Sequence, residues 1–409
     1  MNCKNLLIVG LTVLSMPVVA QKTINVTVTN SGKIAKSNQP VVINLDDMGI
    51  NVRSAVVTFD GTETPCQLDD INRDGRYDEL CFLTDVDRKS TKKFSVTLYD
   101  KGTPRQYDAK VYAELMLLNR KVKIKNKQDI YISELTVNRG VNPYGAVNHH
   151  GAAFENDMLA MRIYFDHRQT VDLYGKFRKG LELKETQFYP SAEQKAAGYG
   201  DDVLWVGNSF GLGALRGWDG SQQTLLTDVD YRSQRLIATG PLRTIVEIED
   251  RGWTPQPGLQ PVDMKTYYIM YAGRRECDVK VKFNRPVSDY LFATGIVNVD
   301  GSTEFTDRKG LRGCWGTAWP VAAKDTANYK RETVGLGIYV PSEYLVSEEK
   351  ATKEDYPYVV KTSTDELNYK ITYCSDNETF GYHTAKDWFS FMKSWKQGIL
   401  SPVTVKIEK

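Results

Sequence analysis

Histidine is scarce in this chain, with four residues among 409, against 23 Tyr, 14 Phe and 7 Trp. The scarcity disfavours a His-rich metal enzyme, and the aromatic excess favours a β-rich body with stacking surfaces. Cysteine is sparse too: six residues, none in CxxC spacing, so zinc and thioredoxin-type readings have no motif. An excess of one charge is also missing. Fifty-three basic residues face 51 acidic ones, and a formal charge of +2 with no dominant Lys/Arg block argues against a nucleic-acid binder that neutralises phosphates. No GxGxxG leads from a strand into a helix, no GKS or GKT completes a phosphate loop, and HExxH is absent. Rossmann, P-loop and zincin readings therefore lose their support.

The one apolar stretch runs from Leu6 to Val19, after Lys4 and before Val18-Val19-Ala20 and Gln21. That pattern is a secretory signal over 1–20, too short for a membrane span, so the mature chain begins at Gln21 and is exported, periplasmic or extracellular. No later segment is apolar enough to span a bilayer. Removing the signal also removes Cys3 and leaves Cys66, Cys81, Cys277, Cys314 and Cys374, an odd number. Cys66 and Cys81 flank the turn Arg73-Asp74-Gly75, where either a cross-hairpin disulfide or two separate thiols would fit.

The rest reads as an all-β protein. Residues 21–105 carry short strands of period two, such as Thr23 to Thr29, Ser54 to Phe59 and Lys93 to Leu98, and describe a small N-terminal β-sandwich. Residues 106–409 continue in strands, from Met161–Phe165 to Gly335–Val340, as a larger β-body. One helix stands out near the end. Thr384 caps it with Asp387 three positions on, and Trp388, Phe391, Met392, Trp395 and Ile399 form one apolar face for docking on a sheet. Pro402 ends it before a last strand at 403–407.

Two constellations could carry chemistry. Asp70, Asn72, Asp74, Gly75 and Asp78 have the oxygen spacing of a structural calcium loop, or of a plain Asp-Gly hairpin turn whose side chains cap backbone amides. No other cofactor is required by any motif. The second is His149-His150-Gly151 followed by Glu155, Arg162, Tyr164, Asp166 and His167, which gathers three of the four histidines. On a strand Arg162, Tyr164 and Asp166 would share a face. Such a set suits β-elimination from a uronic acid, with Arg162 on the carboxylate and Tyr164 or His149/His150 moving the proton. It equally suits hydrolysis by a carboxylate pair such as Glu155 and Asp166, and a loop with exposed histidines beside an Arg162–Asp166 ion pair fits the same residues. Downstream, Asp202, Trp205 and Trp218 lie in Gly-rich stretches that read as sugar-stacking rims or as hairpin turns with core Trp.

These stretches resemble a known family. Gln67 to Leu80, Glu155-Asn-Asp157, Arg162-Ile-Tyr-Phe-Asp166, Asp172-Leu-Tyr-Gly-Lys176, Asp202-Val-Leu-Trp-Val-Gly207, Gly240-Pro-Leu-Arg243 and Gly252-Trp253 are similar to a domain-of-unknown-function family of secreted Bacteroides proteins. The resemblance covers nearly the whole mature chain. It implies a galactose-mutarotase-like β-supersandwich body and an association with degradation of pectin and other uronic-acid glycans, but no established catalytic residue. The expectation is an exported polysaccharide lyase or glycoside hydrolase with a carbohydrate ligand, His149, His150, Glu155, Tyr164 and Asp166 in catalysis, and Arg162, Lys176, Asp202, Trp205 and Trp218 on substrate. The alternative is a non-catalytic glycan binder using the Trp loops.

Overall fold

The computed structural model describes residues 20–256 and 258–408, so the signal segment lies outside it except for Ala20. Alternation decides the first domain. Ile24, Val26 and Val28 on Gln21–Asn30, and Phe94, Val96 and Leu98 on Ser90–Tyr99, point inward from a five-stranded sheet. Val41, Ile43, Leu80 and Phe82, from the three-stranded sheet of Lys36–Asn44, Glu79–Val86 and Cys66–Asp69, fill the other half of the core. Each such side chain, fully withdrawn from water, contributes roughly 1.5–3 kcal/mol. The last strand, Thr404–Glu408, pairs with Gln21–Asn30, with Val26 opposite Ile407. The final residues, grouped by sequence with the larger body, therefore extend the sheet of the first domain.

No disulfide joins Cys66 to Cys81. Cys66 lies opposite Phe82 and Cys81 opposite Gln67, and that one-residue offset sends the two thiols to opposite faces of the sheet. All five cysteines among the described residues are buried and unpaired. Burial pushes the Cys81 thiol up to about 12.

The outer face of the three-stranded sheet docks on the larger body. Gln67 Oε1 accepts the backbone N–H groups of Leu242 and Arg243 at 2.7 and 3.0 Å, and the buried Arg243 donates to Asp69 at 2.7 Å and Glu79 at 2.6 Å.

The larger body holds a nine-stranded sheet, running from Glu134–Asn138 at one edge to Thr303–Thr306 at the other, and two five-stranded sheets. Every pairing between its named strands is antiparallel, and one core cluster takes residues from all three sheets. The fold is thus an all-β sandwich with one long C-terminal helix, as expected. That helix, Ala385–Ile399, is capped by Thr384, whose hydroxyl accepts the Asp387 N–H at 3.1 Å. Trp388, Met392 and Trp395 are buried against the nine-stranded sheet. Glycine makes the room: a Cβ on Gly335 would sit 2.8 Å from the Trp388 ring. Among the described residues no helix is long and apolar enough to cross a membrane.

Candidate functional site

The site lies on the outer face of the five-stranded sheet ordered Asp201–Asp202, Val171–Gly175, Ala160–Tyr164, Gly151–Asn156, Val111–Glu114. Met161, Ile163, Val171 and Leu173 point into the core, so alternation turns Arg162 and Asp172 to the opposite face, where the Tyr164 hydroxyl meets them. Arg162 sits opposite Asp172 across the hairpin. Its Nε and Nη2 donate to Asp172 Oδ2 at 2.9 and 2.6 Å, Nη2 also reaches Asp202 Oδ2 at 2.8 Å, and Nη1 reaches the Tyr189 hydroxyl at 3.2 Å. The Tyr164 hydroxyl donates to the same Asp172 oxygen at 3.0 Å. Burial and the Asp172 charge hold that phenol well above its usual range, so Tyr164 stays protonated and is no proton acceptor.

Two titratable groups of this cluster are pushed in opposite directions. Asp202 is raised well above the carboxylate range, by burial first and then by the Asp172 charge, with Arg162 opposing. His150 is lowered to about 4 by burial, with the charges of Arg162 and Arg168 adding to the effect. Its Nδ1 lies 3.0 Å from the Tyr144 carbonyl, which can only accept, so Nδ1 carries the proton. Nε2 then presents a lone pair that no group among the described residues engages. The imidazole stacks on the Tyr144 ring at 3.7 Å and meets Tyr164 edge-on at 5.8 Å, while Arg168 lies over both tyrosines.

The backbone here is held out of its ordinary range. His149 and His150 have φ of 38° and 71°, and the facing Gln187 and Phe188 have 45° and 66°. Left-handed residues other than glycine cost on the order of 1–2 kcal/mol each, and they concentrate where function over-determines geometry. Both pairs border one cluster, since the His149 and Phe188 rings lie 6.1 Å apart and Arg162 sits 4.2 Å over Phe188.

The remaining expected residues are dispersed. His149 is fully buried behind the rim, its Nε2 3.1 Å from Glu114. Asp166 does not share the face of Arg162, because the strand ends at Tyr164 and the chain bends through 165–168. Its carboxylate caps the Arg168 N–H at 2.8 Å and pairs with that side chain, so the expected Arg162–Asp166 pair does not form. His167, with Asp166 and Arg232, lines a separate cavity of about 160 Å³. Glu155 and Lys176 are bonded to each other at 2.6 Å with no exposure, and Glu155 also accepts the N–H groups of Glu182 and Leu183 at the start of a short helix. That geometry leaves them structural. Trp205 is half exposed, three residues from Asp202, whereas Trp218 is buried and edges a distant cleft of about 600 Å³ with Gln222, Gln223 and Asp355.

In the 70–78 loop, Asp70 accepts the Asp74 and Gly75 N–H groups, Asn72 and Asp74 accept further loop amides, and Asp78 accepts those of Ile71 and Asn72. Among the described residues no three His, Cys, Asp or Glu side chains are grouped to hold a metal. The spacing Gly207-Asn208-Ser209-Phe210-Gly211 matches GxSxG, yet Ser209 is buried and its hydroxyl donates to the Val206 carbonyl at 2.6 Å. Asp172 was within reach of sequence reasoning, since a hairpin turning at His167 sets it opposite Arg162. Tyr144 and Tyr189 carry no such signal.

Residues 28–405 match the family described as Domain of unknown function (DUF4861). The chain belongs to this family. Among solved structures, the DUF4861 chain is similar to a glycosyl hydrolase family 38 protein from Enterococcus faecalis, at 9% identity and TM-score 0.49, covering 95% of this chain and 47% of that one. It is also similar to an α-mannosidase from Enterococcus faecalis V583, at 9% identity and TM-score 0.45, covering 95% and 46%. The chain spans about half the length of these structures, and at such scores the likeness settles neither fold nor activity. No curated protein matches it.

Proposed function

We propose that this DUF4861 chain is an exported glycan-cleaving enzyme that works by acid–base chemistry on the His150–Tyr164–Arg162–Asp202 face. The observation that carries the reading is the opposed pair: a carboxyl at Asp202 whose hold on its proton is strengthened by burial and the Asp172 charge, and an imidazole at His150, lowered by burial, whose Nε2 no group among the described residues engages. Groups whose surroundings drive their pKa values apart divide into acid and base. In hydrolysis, Asp202 gives its proton to the glycosidic oxygen as the bond to the anomeric carbon breaks. His150 Nε2 takes a proton from the attacking water, whose oxygen bonds that carbon. Trp205 offers the stacking face.

Hydrolysis is favoured over β-elimination by one feature. Elimination needs a cation on the substrate carboxylate, and the charge of Arg162 is already matched by Asp172, which lies 2.6 Å away. The resemblance nonetheless supports a uronic-acid-containing glycan as substrate. A non-catalytic glycan-binding protein is the second reading, favoured by the exposure of Trp205.

The test is incubation with pectic and glucuronate-rich oligosaccharides, following reducing ends and unsaturated-uronate absorbance separately. Hydrolysis releases reducing ends alone, abolished by Asp202→Asn. A rise in both signals means elimination. Binding with neither signal across a broad panel overturns the enzyme reading.

A further inference from the structure

The near-zero net charge conceals a local concentration. Arg120, Lys121, Lys123, Lys125 and Lys127 place five cations in eight positions, and Asp129 is the only acid among residues 119–129. All five are exposed. Among the described residues none of them makes an ion pair, whereas Arg73, Arg105, Arg139, Lys195 and Arg308, also well exposed, all do. We propose that this loop is the anion-binding subsite of the enzyme, gripping the carboxylate or sulfate groups of an acidic glycan beside the point of cleavage. The inference rests on the glycan-cleaving reading and places the grip on the acidic sugar beside the cleavage point, not at it.

Three observations support it. The loop is fastened and its cations are held out: Gln128 N–H donates to Gln187 Oε1 at 2.9 Å, Gln187 Nε2 donates to the Gln128 carbonyl at 2.9 Å, and the buried Asn126 donates to Gln194 at 2.8 Å. A fixed array loses less entropy on binding than a mobile one. The loop also abuts the site, since Lys125 Nζ sits 4.7 Å over the Tyr189 ring, whose hydroxyl accepts from Arg162. Finally, exposed Ile124 lies between Lys123 and Lys125, exposed Leu118, Ile130 and Tyr131 flank the run, and all four suit the C–H faces of sugars. A polyphosphate laid along the same path would bring its charge against Asp172, whereas a glycan can place its anionic residue on the loop and a cleavable bond at Asp202.

The experiment compares the full mature chain with the combined variant Arg120→Gln, Lys121→Gln, Lys123→Gln, Lys127→Gln, which alters only exposed side chains. Binding is measured by calorimetry against polygalacturonate, a sulfated galactan, a neutral galactan and single-stranded DNA of matched length, at about 50 and 200 mM salt. The expected result is binding to at least one acidic glycan that weakens tenfold or more in the variant. The salt slope should become shallower, by up to about 0.7 per cation removed, with neutral-glycan affinity unchanged. Preference between polygalacturonate and the sulfated galactan identifies the anion, and either supports the subsite. Unchanged acidic-glycan binding in the variant overturns it, as does DNA bound as tightly as the best glycan. Acidic-glycan binding that depends on the loop, without turnover, would sink the catalytic reading alone.

Discussion

Replacing His150 by Gln should change the sign of its effect on stability with pH. A Gln amide can still donate to the Tyr144 carbonyl and faces the same left-handed backbone, but it loses the ring stacked 3.7 Å from Tyr144. At pH 7.5, where the wild-type imidazole is neutral in both folded and unfolded chains, the variant should be less stable by about 1 kcal/mol, the usual worth of such a stack. Below pH 6.5 the unfolded wild-type chain takes up a proton that the native imidazole, held at about 4, refuses. Wild-type stability then drops as pH falls, reaching a deficit of about 3 kcal/mol once both values are passed. The variant lacks that deficit, so the two stabilities should cross between pH 6.5 and 4, leaving the variant ahead by about 2 kcal/mol in acid. Urea denaturation at a series of pH values, with wild type and variant in the same buffers, measures the difference directly. Turnover should fall about 10²- to 10⁴-fold in the variant, with loss of the acid limb near pH 4. A stability gap that stays constant across this range would refute the claim that the native site holds the imidazole neutral.

Three further outcomes follow from the same structure. Arg243→Met strands the buried Asp69 carboxylate between the domains and should cost about 3–5 kcal/mol, seen as an earlier guanidinium transition; a loss below about 1 kcal/mol would contradict a buried pairing. Gly335→Val drives a side chain into Trp388 and should cost about 1–3 kcal/mol, with a shift in tryptophan fluorescence as the C-terminal helix lifts. A thiol reagent should label none of Cys66, Cys81, Cys277, Cys314 and Cys374 in the native protein and all five after denaturation, because each is buried and none is paired.

Much of the fold was legible because it depends on local periodicity. Period-two alternation marked the strands of both domains, and the 3.6-residue stripe from Trp388 to Ile399 with its Thr384 cap marked the helix and its docking face. The site was legible only in part. Arg162, Tyr164, His150 and Asp202 do meet on one face, but Asp166 turns away, Glu155 and Lys176 bond each other, and Trp218 lies elsewhere. Asp166 failed because alternation holds only while the strand continues, and this strand stops at Tyr164. The basic run from Arg120 to Lys127 stands in the sequence and corrects the reading that no Lys/Arg block is prominent, because the balanced total charge says nothing of its local distribution.

By itself, then, the sequence determined the element types, the capped helix and the neighbourhood of the candidate site, since propensity and alternation act over a few residues. Tertiary structure alone decided which groups face each other and how they titrate. Asp172 and Asp202 meet on one guanidinium because strand register puts them there, and Asp202 and His150 are shifted in opposite directions because burial and neighbouring charge act through space. The disulfide question turned on one residue of register, which the spacing of Cys66 and Cys81 could not contain.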